Sequence, residues 1–170
     1  MSNFVHVKPY DGPLPQRGTQ FSAGYDLTSN EEYTLKPGER HLFKTGVTCS
    51  MEENEYLAIV PRSGLAIKNG ITVLNTPGTV DADYFPNEIG VVLYNTSEYE
   101  FPVKKGDRIA QAILHEYKTM GLDLVKNRER QGGFGSTGVW MWFEEPVSMT
   151  AIEKAGNYEN KKCRFKIYGV

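Results

Sequence analysis

Asn75-Thr76-Pro77-Gly78-Thr79-Val80-Asp81-Ala82-Asp83-Tyr84 gathers a rigid turn, an amide, two carboxylates and an aromatic ring into one span too polar for a core strand. Ile71-Thr72-Val73-Leu74 before it and Ile89-Gly90-Val91-Val92-Leu93-Tyr94 after it are β-branched and apolar. Pro77-Gly78 is therefore expected in a bend between two strands, with the polar groups on a hairpin and outside any sheet. Strict alternation places Thr79, Asp81 and Asp83 on one face and Val80, Ala82 and Tyr84 on the other. A pocket served by both Asp81 and Tyr84 then requires a twist or bulge between them. Taken singly, each carboxylate is explained by an Asp-rich surface turn; the rest of the chain decides.

Working outward, short strand-like runs recur with a turn signal every ten residues or so. Phe4-Val5-His6-Val7-Lys8 alternates, after which Pro9, Gly12, Pro13 and Pro15 imply a loop to about Ser22. Asn30-Glu31-Glu32 looks like an exposed turn. Tyr33-Thr34-Leu35, the Pro37-Gly38 turn and the run His41–Thr48 suggest a further pair of strands, and Tyr56-Leu57-Ala58-Ile59-Val60 another. Asn69-Gly70 carries a strong hairpin signal between Leu65-Ala66-Ile67-Lys68 and Ile71-Thr72-Val73-Leu74, with a short helix over 64–68 as the alternative. Tyr99-Glu100-Phe101-Pro102-Val103 leads to Ile109–His115, a core strand with Gln111 as its odd polar member. Many short strands between frequent turns mean an all-β sandwich or barrel.

A chain of 170 residues is one ordinary domain with a core that needs no staples. Its formal net charge of −2 argues against a general phosphate-backbone binder, so nucleic acid is not an expected partner and any anion must be met by local groups. Cys49 and Cys163 indicate neither a disulfide framework nor a zinc site. No apolar run approaches a membrane span and the first residues lack a signal-peptide pattern, giving the expectation of a soluble, cytoplasmic protein.

Arg62-Ser63-Gly64 offers a guanidinium, a hydroxyl and an unhindered backbone N–H at a strand end, a small anion cradle; a solvated turn is the plainer alternative. Gly132-Gly133-Phe134-Gly135-Ser136-Thr137-Gly138 has too little side chain to pack and suits a flexible linker, or an arm that folds a stacking ring and two hydroxyls over a nucleotide. Neither a Walker lysine pattern nor a dinucleotide fingerprint is present. His6, His41 and His115 lack ligand spacing and read as strand or surface residues. Gln111 suits a satisfied buried amide or a functional contact equally, and Asp107-Arg108 reads as a local turn pair.

Five of these segments, in order and at family-like intervals, resemble the trimeric dUTPase family from about residue 20 to 138. Ala23-Gly24-Tyr25-Asp26-Leu27 is similar to the first motif, Pro61-Arg62-Ser63-Gly64-Leu65-Ala66 to the second and the Asn75–Tyr84 stretch to the third. Gly106-Asp107-Arg108-Ile109-Ala110-Gln111 is similar to the fourth, and Gly132–Gly138 to the fifth. The resemblance implies a distorted jelly-roll β-barrel subunit of a homotrimer, with active sites shared between subunits, a flexible glycine-rich arm and a C-terminal extension. Residues 1–138 form the enzyme-like domain and 139–170 the extension. The implied reaction is hydrolysis of dUTP to dUMP and pyrophosphate with Mg²⁺, limiting uracil incorporation into DNA and supplying dUMP for thymidylate synthesis.

The same resemblance assigns roles. Asp81 positions the water that attacks the α-phosphorus, Asn75 and the backbone at Gly78, Thr79 and Val80 read the uracil edge, and Tyr84 packs on the deoxyribose. Arg62, Ser63, Gly64 and Gln111 hold phosphates. Phe134 stacks on uracil from a neighbour's arm beside Gly135, Ser136 and Thr137. No direct protein ligand to the metal is expected; Asp26 supports its water shell or the subunit junction.

Three departures stand out. Phe85-Pro86 replaces the family's Arg-Gly after the third-motif Tyr, with one extra residue before Glu88. Glu129 occupies the place of the fifth-motif Arg; of the flanking Arg128 and Arg130, Arg130 is the favoured substitute. A tail then continues beyond the glycines, and its apolar Val139-Trp140-Met141-Trp142-Phe143 is expected to pack against the trimer body. Two rival readings are a dCTP deaminase, for which Val91-Val92-Leu93 supplies no glutamate, and a binding module that uses the nucleotide as a signal.

Overall fold

A computed structural model describes residues 1–10, 12–120 and 133. Arg128, Arg130, Phe134, Gly135, Ser136, Thr137, Cys163 and the extension 139–170 lie outside the described residues. The chain divides into two compact units, Met1–Lys118 and Thr119–Val170, and the fold below is that of the first.

In chain order the strands are β1 (Asn3–His6), β2 (Gln16–Arg17), β3 (Tyr25–Thr28), β4 (Tyr33–Leu35), β5 (Arg40–Lys44), β6 (Val47–Ser50) and β7 (Glu55–Val60). A short helix α1 (Ser63–Asn69) precedes β8 (Ile71–Val73) and β9 (Gly78–Asp81). A single 3-10 turn at Ala82–Tyr84 leads on to β10 (Gly90–Asn95), β11 (Phe101–Val103) and β12 (Arg108–Glu116). The described residues are thus all-β apart from those two turns of helix. The sheets run β1-β6, β5-β10-β8, β11-β4 and β2-β3-β12-β7-β9, and every pairing is antiparallel.

Between the sheets lies a core of Leu27, Leu35, Phe43, Leu57, Ile71, Ile89, Leu93 and Ile109, each essentially inaccessible. Full burial of a side chain of this size contributes about 1.5–3 kcal/mol. Period-2 alternation delivers most of them: Val91 and Leu93 point inward while Val92 and Tyr94 between them stay half-exposed. In β12 a register shift between Arg108 and Ala110 breaks the alternation, so that Ile109 and Ala110 are both buried. Gln111 is thereby left on the outer face, which accounts for a polar residue inside an apolar run. Tyr10 joins the core from the N-terminal segment, and its ring lies so close over Gly46 and Gly12 that a Cβ at either would meet it at 2.3 Å.

Several expectations are corrected. Ile71–Val73 and Gly90–Asn95 do pair, with Val73 opposite Leu93, but the polar stretch between them is not a free hairpin. Gly78–Asp81 crosses to a different sheet and pairs with β7, because a backbone this extended finds ladder partners along Tyr56–Ile59. Gly78 sits opposite Ile59, where an added Cβ would lie 3.4 Å from Ile59 Cβ, about van der Waals contact. Alternation stops at Asp81, where the 3-10 turn supplies the twist required between Asp81 and Tyr84.

The Asn69-Gly70 alternative resolves to the helix. Gly70, at φ 65°, closes α1 and donates its N–H to Ala66 O at 3.1 Å; the left-handed conformation that favours a tight hairpin equally favours a helix C-cap. Around Pro37-Gly38 the flanking strands do not pair with each other, β4 joining β11 and β5 joining β10. The run His41–Thr48 is broken at Thr45-Gly46, where Gly46 takes φ 74°. The segment expected as loop to Ser22 contains β2, paired with β3.

Candidate active site

The outer face of the five-stranded sheet carries the candidate side chains Asp26, Gln111, Thr79 and Asp81, while Gly78 and Val80 lie on its core side. Leu57 and Ile59 of β7 are 1% and 2% exposed and face the core with Val80 and Gly78 opposite them. Tyr56, Ala58 and Val60 therefore face outward, opposite Asp81 and Thr79 on one side and opposite His115, Ile113 and Gln111 on the other. Asp26 of β3 continues the row beyond Gln111.

At one end of this face Asp26 is a hub. Its Oδ1 lies 3.3 Å from Arg62 Nε and accepts a bond from Gln111 Nε2 at 3.3 Å; its Oδ2 lies 3.1 Å from Arg108 Nη1. Arg62 also donates from Nη1 to Arg108 O at 3.1 Å, which ties the segment after β7 to the start of β12. Two guanidiniums share one carboxylate, so the cluster keeps one net positive charge, and the Arg108 side chain remains 58% exposed. Ser63 and Gly64 open α1 directly after Arg62 and are exposed; their N–H groups precede the first intrahelical bonds, which run from Leu65 and Ala66 to Arg62 O. Gly24 makes room for the Gln111 side chain, whose Cβ and Cδ would lie 3.2 Å from an added Cβ.

At the other end stands the Asn75–Tyr84 stretch. The Asn75 amide lies over Gly78, 3.2 Å from where a Cβ would be. Thr79 is exposed, Val80 packs against the core and Asp81 is half-buried. Tyr84 donates its hydroxyl to Glu88 O at 3.1 Å, while Asn87 returns bonds from its N–H and Nδ2 to Tyr84 O at 2.9 and 2.7 Å. Glu88 itself accepts the Gly46 N–H at 2.7 Å, which ties the loop after Tyr84 to the turn between β5 and β6. Phe85 stays exposed, where the resemblance would place a cation.

The sequence-predicted residues thus fall into two groups: Asp26, Arg62, Ser63, Gly64 and Gln111, and Asn75, Gly78, Thr79, Val80, Asp81 and Tyr84. Gln111 is opposite Val60, and Asp81 is opposite Tyr56. Four residues along β7 and two strand spacings across separate Gln111 from Asp81 by roughly 16 Å. Arg108 was missed as a member of the first group. It does not pair locally with Asp107, which instead accepts the Lys104 N–H at 2.9 Å in its own turn. Arg108 meets Asp26 across 82 residues of sequence, and no local signal points to such a contact.

The dUTPase family model matches residues 11–138. The chain belongs to the dUTPase family. Its distorted jelly roll is the family's fold. It is 46% identical over 132 residues to the deoxyuridine 5'-triphosphate nucleotidohydrolase of Clostridium tetani, covering 75% of this chain and 90% of that one. The enzyme of the same name from Rickettsia bellii is 45% identical over 146 residues, 81% and 97% of the two chains. Among solved structures, the dUTPase of Streptococcus mutans superimposes with a TM-score of 0.66 at 28% identity, over 69% of this chain and 97% of that one. The dUTPase of phage phi11 of S. aureus, described with a structural Mg(II) ion in its D95N mutant, shares the fold at 22% identity and a TM-score of 0.65.

Proposed function

We propose that this dUTPase hydrolyses dUTP to dUMP and pyrophosphate with Mg²⁺, at sites shared between copies of the chain in a homotrimer. The observation that carries the shared site is the separation of Asp81 from the Arg62–Asp26–Gln111 cluster on one sheet face. A carboxylate that aims water at an α-phosphorus must stand within a few ångströms of the phosphates. Asp81 of one copy therefore serves phosphates held by Arg62, Ser63, Gly64 and Gln111 of another. The cluster's surplus positive charge suits it to a triphosphate.

Asn75 and the backbone at Gly78, Thr79 and Val80 read the uracil edge. A polar edge arranged for uracil leaves unpaired groups against cytosine, and a tight approach at Gly78 leaves no room for the 5-methyl of thymine. Tyr84, fixed by its hydroxyl bond to Glu88 O, covers the deoxyribose where a 2′-hydroxyl would stand. Moving a proton outright from water (pKa about 15.7) to a carboxylate near 4 is uphill by about 16 kcal/mol. Asp81 accordingly orients the water and takes its proton late, as the bond to phosphorus forms. Arg62 and Arg108 meet charge on the departing pyrophosphate.

Among the described residues no three His, Cys, Asp or Glu side chains are grouped as a metal cage. That donor set fits an ion carried in by the triphosphate and its waters, the usual Mg²⁺ arrangement. Asp26 accepts hydrogen bonds from Arg108 and Gln111 at two of its roughly four acceptor positions, with Arg62 an ion-pair neighbour, which leaves room for a water of the ion's shell. Mg²⁺, when bound, supplies positive charge against the phosphate oxygens. Phe134, Gly135, Ser136, Thr137 and Arg130 complete the site from the arm in this reading, 139–170 is an extension outside the catalytic body, and the enzyme works in the cytoplasm.

The test is pyrophosphate release from dUTP beside dCTP, dTTP and UTP, with light scattering for the trimer. Comparable turnover of dTTP or UTP removes the specificity claim. Mixing subunits tests the sharing: Asp81→Asn and Arg62→Ala trimers, each inactive, are unfolded and refolded together in equal amounts. One site in about four then combines both native groups, and about a quarter of wild-type activity returns. No recovery above the separate variants means that each copy works alone.

A further inference from the structure

Three side chains stand in one row across three strands at the Asp81 end of the outer face. Asp81 is opposite Tyr56, and Tyr56 is opposite His115. Directly opposed residues on an antiparallel pair share a face, with Cβ atoms about 4.5–5.5 Å apart. The Tyr56 and His115 rings are stacked, centroids 5.1 Å apart and planes 17° from parallel. Tyr117 closes on the same ring edge-on, at 6.2 Å and 64°. Tyr117 is itself fixed, its hydroxyl donating to Glu53 O at 2.9 Å and its N–H to Asn54 O at 2.9 Å. Tyr56 is thus gripped by two rings, on the strand position directly opposite Asp81. Farther along the face the opposed pair is Ala58 and Thr79, too small for such a grip.

We propose that Tyr56, held by His115 and Tyr117, is a positioning residue for the Asp81 carboxylate. β9 pairs with β7 in the described sheet, and a rigid side chain directly opposite on the same face restricts the rotamers open to Asp81. A water aimed by a carboxylate that wanders by an ångström attacks poorly, and misplacement of that size costs up to a hundredfold in rate. The contact acts through shape, by the ring and not the hydroxyl. His115, which carried no ligand or nucleophile pattern in the sequence, gains a role as the buttress of that ring.

This inference rests on the reading of Asp81 as the group that orients water. The test is steady-state hydrolysis of dUTP by Tyr56→Ala, Tyr56→Leu, Tyr56→Phe, His115→Ala and His115→Phe, in native and Asp81→Asn backgrounds, each checked for trimer and melting temperature. Tyr56→Ala is expected to lower kcat about tenfold with KM within about twofold, and His115→Ala to lower it about threefold. Tyr56→Phe and His115→Phe restore kcat to within about twofold, since both keep the stack. Should Tyr56→Ala fail to fold, Tyr56→Leu, of intermediate volume and without a flat ring, is expected to show the same selective loss in kcat. In the Asp81→Asn background none of these changes lowers kcat further, because no aimed carboxylate remains. An undiminished kcat in Tyr56→Ala or Tyr56→Leu, a loss in Tyr56→Phe equal to that in Tyr56→Ala, or the same loss on both backgrounds overturns the inference. If Asp81→Asn itself turns over normally, the reading beneath it fails instead, and the two failures are told apart.

Discussion

Arg62 Nε stands 3.3 Å from Asp26 Oδ1, joining the turn after β7 to β3, two strands away across the sheet. The pair is only part-shielded, with 24% and 13% of the two side chains exposed, so its worth lies between that of a surface and a buried ion pair. In the proposed reading the contact aligns the guanidinium for the phosphates as well as tying the sheet together. Asp26→Ala is expected to cost about 1–2 kcal/mol and to raise KM for dUTP about tenfold while kcat changes less. Denaturant unfolding and initial-rate kinetics measure the two effects. An unchanged KM would show that Arg62 holds its position without Asp26.

Asp81→Asn keeps an oxygen that can hydrogen-bond water but no longer accepts its proton. Nucleotide affinity should stay within roughly a few-fold while turnover falls by two orders of magnitude or more. Binding of a non-hydrolysable dUTP analogue, measured beside single-turnover rates, separates the two quantities. Near-normal turnover would identify another group as the one that positions water.

Gly24 and Gly78 are tests of close approach in the two groups, Gly24 beside Gln111 and Gly78 opposite Ile59 on the core side of β9. A Cβ on Gly24 meets Gln111 at 3.2 Å, and one on Gly78 meets Asn75 Nδ2 at 3.2 Å and Ile59 Cβ at 3.4 Å. Gly24→Ala should displace the Gln111 amide and weaken phosphate binding, seen as a few-fold weaker inhibition by pyrophosphate. Gly78→Ala should displace Asn75 and weaken binding of deoxyuridine itself, leaving pyrophosphate inhibition unaltered. The opposite assignment of effects would mean that the two groups have been given the wrong halves of the nucleotide.

Burial, with a smaller contribution from the Glu55 carboxylate, pushes the Cys49 thiol up from 9.0 to about 11, and the residue is 4% exposed. Native protein should therefore resist alkylation at Cys49 near pH 8, while urea-unfolded protein is labelled there. The raised value also has a sign. Between pH 9 and 11 the unfolded thiol has lost its proton and the folded one has not, so this contribution is intact below pH 9 and falls as pH rises, by about 2–3 kcal/mol at its end. Cys49→Ala should lose that slope in urea titrations across the window; an identical slope assigns it to other groups.

Most strands were legible because alternation is a local property: Tyr56–Val60, Ile89–Tyr94 and Ile109–His115 all lie where their patterns put them. Partnership is not local. Nothing in Ile71–Leu74 or Gly78–Asp81 says that two strands four residues apart belong to different sheets. The Asn69-Gly70 pair shows why a strong turn signal can mislead, since one positive-φ glycine suits a hairpin and a helix terminus alike. Candidate residues within a motif were named from their order along the chain. Arg108, Glu88 and Tyr56 were not, because what they face, Asp26, the Tyr84 hydroxyl and Asp81, is set by the fold and leaves no local signal.

The Tyr10 ring, lying over Gly46 and Gly12, binds three positions into one unit of variation. A side chain at 46 or at 12 would occupy the space of the ring, 2.3 Å from its atoms, so relatives that keep an aromatic at 10 should keep both glycines. The rule is asymmetric. Gly46 also sits at φ 74°, a backbone geometry that favours glycine whatever stands at 10, whereas no such demand attaches to Gly12. Drift that shortens position 10 should therefore free position 12 first and leave 46 a glycine, a pattern to be read in the order in which substitutions accumulate along lineages rather than in any one chain.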